Sequence, residues 1–116
     1  MTYKAVFHVD QNEEKDMNMA LNNVINLLNA IPDQEHDLIV LFNGPAVGLV
    51  AWDDVVIYLE RIKDVASKGV RFQVCKNAME RFEVTEDLLI EECEIIPAGI
   101  VTLIDLQNDG FSYIKP

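Results

Sequence analysis

Apolar positions in this chain fall into short continuous runs and longer stretches with helical spacing. Lys4 to Val9 is a β-branched and aromatic run that reads as a strand. Beyond it Met17, Ala20, Leu21, Val24, Leu27 and Leu28 recur on one helical face, on a helix that ends before Pro32. Asp10 stands where it can cap that helix, and Glu13 where it can reach back. Asp37 to Phe42 is apolar at consecutive positions, as in a strand covered on both faces.

Asn43-Gly44-Pro45 breaks that strand, and a mixed stretch containing Trp52 follows. Asp53 or Asp54 can cap a second helix, with Val55, Leu59, Ile62 and Ala66 as its apolar stripe and Gly69 as its left-handed stop. Val70 to Val74 is a third strand that runs into a short helix at Cys75-Lys76-Asn77-Ala78-Met79. Thr85 is expected to cap another helix through Glu91. Glu94 to Ile96 predicts a fourth strand closed by Pro97, Gly99 to Gln107 a last helix, and Phe111 to Ile114 a final strand. Strands alternating with helices imply right-handed crossovers. The fold class is therefore α/β, a three-layer α/β/α sandwich around a mostly parallel five-stranded sheet.

Length and composition narrow this further. Half of the 116 residues are apolar and evenly spread, which suits one domain over residues 1–116. No run approaches the roughly 20 apolar residues of a membrane helix. The start, Met1-Thr2-Tyr3-Lys4, lacks the pattern of a secretory signal, so the cytoplasm is the expected location. A formal charge of −11, from 20 acidic and 9 basic residues, argues against nucleic acid and against an anionic membrane surface as partners.

Two cysteines without a Cys-x-x-Cys motif make neither a disulfide framework nor a zinc site, and His8 and His36 have no ligand spacing. No metal or other cofactor is expected. A Cys75–Cys93 bridge would be transient or regulatory in a reducing compartment.

In open parallel sheets, sites collect beyond the carboxyl ends of the strands. There stand His8 and Asp10, Asn43-Gly44-Pro45, Cys75-Lys76-Asn77 and Pro97-Ala98-Gly99. Cys75 is the one strong nucleophile among them. A helix N-terminus favours the thiolate, the reactive form, and Lys76, Arg71 or Arg81 can add to that while Glu80 and Glu83 oppose it. The alternative is a small buried residue that only closes the strand. Asn43-Gly44 lacks the spacing of a phosphate loop and serves equally well as a tight turn. His8 reads as a strand histidine with its hydrogen bonds met. Cys93, after Glu91-Glu92, sits in an electronegative setting that raises its pKa. Met17, Met19 and Met79 read as core or interface filler.

Three segments together resemble one known family. They are Val40-Leu41-Phe42-Asn43-Gly44-Pro45-Ala46-Val47, Gly69-Val70-Arg71-Phe72-Gln73-Val74-Cys75-Lys76-Asn77-Ala78-Met79, and Ile96-Pro97-Ala98-Gly99 continuing to Gly110-Phe111-Ser112-Tyr113-Ile114-Lys115-Pro116. Their order and spacing resemble the DsrE-like (DsrE/DsrF-like) sulfur-relay proteins, in particular the single-chain branch. The resemblance implies a homo-oligomer, trimer or hexamer, and a cysteine corresponding to Cys75 that carries sulfur as a persulfide between donor and acceptor proteins. It implies that Asn43, Gly44 and Asn77 line the same pocket, and Lys76, next to the cysteine, is expected to be a binding residue with them. The expected function is thus that of a sulfur carrier or sulfurtransferase subunit. The alternative is a non-enzymatic oligomeric module that binds a small ligand or partner, with Cys75 structural or a redox sensor.

Overall fold

A computed structural model describes residues 2–116. Its five strands are β1 (Thr2–Val9), β2 (Glu35–Phe42), β3 (Arg71–Cys75), β4 (Cys93–Ile96) and β5 (Ser112–Ile114). The helices are α1 (Glu14–Ala30), α2 (Leu59–Ser67), α3 (Lys76–Arg81) and α4 (Gly99–Asn108). The strands lie in the order β4-β3-β2-β1-β5, and every pairing is parallel, so the expectation of a mostly parallel sheet sharpens to an entirely parallel one.

This order dictates which face each connection covers. From β1 to β4 the chain steps three times in the same direction, and right-handed crossovers then keep α1, α2 and α3 on one face. The last connection runs back past β3, β2 and β1 to reach β5. The same handedness puts α4 on the opposite face. The two cores follow this division. On the first face Phe7, Val40, Phe42 and Phe72 pack with Met17 and Leu21 of α1. On the second, Val6, Ile39, Leu41 and Ile96 pack with Leu103 of α4 and with Phe111. Burial on both faces accounts for the unbroken apolar runs of β1 and β2. Phe42 and Phe72 stack with ring centroids 6.4 Å apart, tying β2 to β3.

Three expected caps are not made. α1 starts at Glu14 without a side-chain cap, because Asp10, directly after β1, forms an ion pair with Lys115 instead. The predicted second helix opens as a 3₁₀ turn, Asp54–Tyr58, before α2, and Asp53 makes no cap bond. The helix expected over 85–91 is only a 3₁₀ turn, Glu86–Leu88, with no bond from the Thr85 side chain. There the chain is held extended: Trp52 N–H donates to Leu88 O at 2.9 Å, and Ala51 bridges Leu89. Gly69 does take the left-handed conformation at the end of α2, with φ +96°. No helix among the described residues is long and apolar enough to cross a membrane.

Candidate functional site

Strand order locates a crevice that no local pattern reveals. After β3 the chain turns into α3 on one face, and after the neighbouring β4 into α4 on the other. Connections that part in this way leave a gap beyond the carboxyl ends of the two strands. Cys75 ends β3 opposite Ile96, the last residue of β4, so the thiol and the start of α4 face each other across that gap. The Gly99 N–H donates to Cys75 Sγ at 3.2 Å.

That donor corrects one expectation. Cys75 occupies the cap position of α3, yet its side chain takes no bond from α3. The sulfur is turned to the first residue of α4. A longer helix thus directs its N–H and the positive end of its dipole at the sulfur, an arrangement complementary to negative charge.

Asn43, Gly44, Cys75, Asn77, Arg81 and Gly99 line one cavity of about 400 Å³, with Phe82 and Ile100 as apolar walls. Among the described residues, that lining contains no histidine and no carboxylate. Asn43 caps the 3₁₀ turn that begins at Gly44, its Oδ1 accepting from the Gly44 N–H at 2.9 Å. Gly44 has φ +56°, and a Cβ there would lie 3.3 Å from Asp10 O, so glycine fits both the turn and the contact. A Cβ on Gly99 would stand 3.1 Å from Asn43 Cγ. The absence of a side chain lets α4 begin against Asn43 and bring its N–H to the sulfur.

Asn43, Gly44 and Asn77 thus line one cavity with Cys75. Lys76 does not line this cavity. It faces a larger one of about 620 Å³ on the other side of α3, together with Met79, Glu80 and Glu83. The cation that lines this cavity is Arg81, four residues after Asn77 and so on the same helical face. Arg71 lies at the other end of β3 and pairs with Asp37 at 2.7 Å. Cys75 itself is 3 % exposed. Its proposed bridge partner is out of reach: Cys93 is opposite Phe72, three positions back along the sheet, or about 10 Å away by strand rise. Both thiols are free. Burial first, and Glu92 second, push the Cys93 thiol up to about 12.

His8 is only half satisfied. Its Nδ1 is 2.6 Å from the Tyr113 hydroxyl, whereas Nε2 is buried without a partner among the described residues. Burial holds its pKa below the ordinary imidazole value. Met17 and Met79 are core residues, and Met19 is exposed. No cluster of three or more metal-ligating side chains occurs among the described residues.

A sequence profile of the DsrE/DsrF-like family matches residues 4–116. The chain belongs to the DsrE/DsrF-like family. Among solved structures it resembles a protein of unknown function, MTH1491, from Methanobacterium thermoautotrophicum. The TM-score is 0.88 at 25 % identity, over 98 % of this chain and 99 % of that one. It also resembles the ychN protein from E. coli, with a TM-score of 0.71 at 15 % identity over 98 % and 99 % of the two chains. The second likeness is one of fold alone. No match to a curated protein is found. Family membership supports a sulfur-relay-related fold for this chain.

Proposed function

We propose that this DsrE/DsrF-like protein is a sulfur carrier, a sulfurtransferase-like subunit that holds sulfur as a Cys75 persulfide. The observation that carries the reading is the Gly99 N–H on Cys75 Sγ, in a cavity lined by neutral amides and one arginine. After loss of the thiol proton to solvent, the Cys75 thiolate attacks the outer sulfur of a donor persulfide, R–S–SH. The new S–S bond forms as the donor's S–S bond breaks, and the donor leaves as R–S⁻. The outer sulfur keeps its proton, and no external oxidant is required. An acceptor thiolate then attacks the same sulfur and releases Cys75 as a thiolate. Neither step calls on a general base in the cavity, in keeping with its lining. The apolar walls Phe82 and Ile100 would shield the persulfide from water.

Incubation with a sulfane-sulfur donor and intact-mass analysis test this. The expected result is the gain of one sulfur atom, absent in Cys75→Ser. No gain, or an equal gain in Cys75→Ser, refutes it.

One observation favours a different reading, an oligomeric binding module in which Cys75 only packs: the side chain belongs to the buried core of the first face. Alkylation of the native protein separates the two. A carrier's thiol reacts in the folded state, whereas a packing residue reacts only on unfolding. Under either reading self-association is part of the proposal. Ile100, Val101 and Ile104 of α4 are 62, 55 and 53 % exposed on its outer side, an apolar face suited to a second copy. Light scattering should find a trimer or hexamer, and a monomer at micromolar concentration would count against it.

A further inference from the structure

The acidic charge of this protein is concentrated. Residues 80–94 carry Glu80, Glu83, Glu86, Asp87, Glu91, Glu92 and Glu94 against the single base Arg81, a net of −6 within a chain of −11. This segment borders the cavity beyond α3. Met79, Val84 and Ile95 form its apolar floor, and Glu80, Glu83 and Glu86 stand on its rim with Lys76 as the only base. A second cavity, lined by Leu89, Ile90 and Cys93 with Glu91, shares Glu86 and Ile95 with the first. The two make one groove running along β4. β4 is the terminal strand of the sheet and pairs only with β3, so among the described residues its outer edge has no strand partner.

We propose that this groove is a docking site for an extended, lysine- or arginine-bearing segment of a partner protein, which adds a strand to β4 and sets apolar side chains against Met79, Val84 and Ile95. Three features converge on that occupant. The free strand edge offers main-chain hydrogen bonds, the apolar floor accepts alternate side chains, and the carboxylate rim attracts basic ones. The same carboxylates select against a second copy of this chain, which would bring its own acidic segment to theirs; like charges along an edge strand oppose edge-to-edge pairing. Only α3 separates the groove from the Cys75 cavity, since Lys76, Met79 and Glu80 face one side and Asn77, Ala78 and Arg81 the other. A segment bound here is thereby held beside the thiol, but its docking does not depend on sulfur chemistry.

The test uses the whole protein and a short labelled peptide that alternates lysine with valine, with a glutamate–valine peptide of equal length for comparison. Fluorescence anisotropy should show saturable binding of the basic peptide alone, weakened by salt. The double charge reversal Glu83→Lys/Glu86→Lys, at two exposed positions, should weaken it by about tenfold or more. Amide shifts on titration should cluster in Cys93–Ile96 and along Lys76–Arg81. Cys75→Ser should bind as the wild type does, so a failure of the sulfur-carrier reading leaves this result standing. Equal binding of both peptides, equal binding to the charge-reversed protein, or shifts clustered away from β4 would overturn the proposal. So would a β4 edge found occluded by a second copy in the wild-type assembly.

Discussion

Substitution of Gly99 by alanine tests the construction of the thiol site at its tightest point. The added Cβ would lie 3.1 Å from Asn43 Cγ and 3.3 Å from both Asn43 Nδ2 and Oδ1. Comfortable contacts between such atoms are about 3.5–4.0 Å, so α4 or Asn43 must give way by a few tenths of an ångström. Crowding of a packed site costs about 1–3 kcal/mol, and replacing a helical glycine by alanine returns up to about 1 kcal/mol. A net loss near 1 kcal/mol should lower Tm by about 4 °C. The same displacement draws the Gly99 N–H away from a sulfur it now reaches at 3.2 Å. A hydrogen bond to a charged sulfur is worth about 1.5 kcal/mol at the lower end, so its loss should slow sulfur uptake or alkylation by up to about tenfold. Rates would be read by intact mass in a Cys93→Ser background. The three nearest atoms all belong to Asn43, so in an Asn43→Ala background the same substitution should be nearly neutral in rate and in Tm. An unchanged rate in Gly99→Ala, or an equal loss in both backgrounds, would refute the account of why glycine stands there.

Phe72→Ala removes a buried ring stacked on Phe42 and should cost about 3–5 kcal/mol, lowering Tm by roughly 12–20 °C; a loss under about 1 kcal/mol in urea unfolding would contradict its central place in the larger core. With its thiol pushed up to about 12, only about one Cys93 in 10,000 is ionised at pH 8, so Cys93 in Cys75→Ser should resist alkylation until strong alkali or unfolding. Acid should destabilise the protein in two stages. The folded-state pKa of His8 is lowered by burial and that of Asp10 by its bond from Lys115, so in both cases the unfolded chain takes up protons first. Stability is then whole above each unfolded value and falls as pH drops, from about 6.5 downward for His8 and from about 3.8 downward for Asp10. Urea midpoints should fall through these windows, His8→Gln should flatten the upper stage and Asp10→Asn the lower, and a midpoint that rises from pH 7 to 5 would contradict the assignment.

The strands and the four main helices were legible because burial on one or two faces leaves a period in the sequence. What was missed has a different origin. Asp10 and Thr85 look like caps in isolation, but Lys115, 105 positions on, claims the first, and contacts with Ala51 and Trp52 hold the chain extended after the second. The position of Cys75 at a strand end was legible. Its hydrogen-bond donor was not, since that depends on β4 lying beside β3, and strand order is set by pairing over distance. Arg81 was one of three candidate cations, and helix geometry singles it out: a helix beginning at Lys76 puts residues 77 and 81 on one side and residues 76, 80 and 83 on another. The adjacency of Lys76 to Cys75 in sequence was misleading for that same reason.

The two faces of the sheet are unequally insulated. Three helices and the larger core lie on the first, whereas α4 holds the second chiefly through Leu103 against Val6, Ile39, Leu41 and Ile96. Partial opening of a protein follows its least buried cooperative unit. The smaller core predicts that this unit is the segment from Gly99 onward, whose amides should exchange with solvent before those of Glu14–Ala30. The residue that donates to the Cys75 sulfur is thus the first residue of the segment expected to open first. Local opening of that segment would uncover a sulfur that the resting fold buries, and the same motion would withdraw the N–H from it.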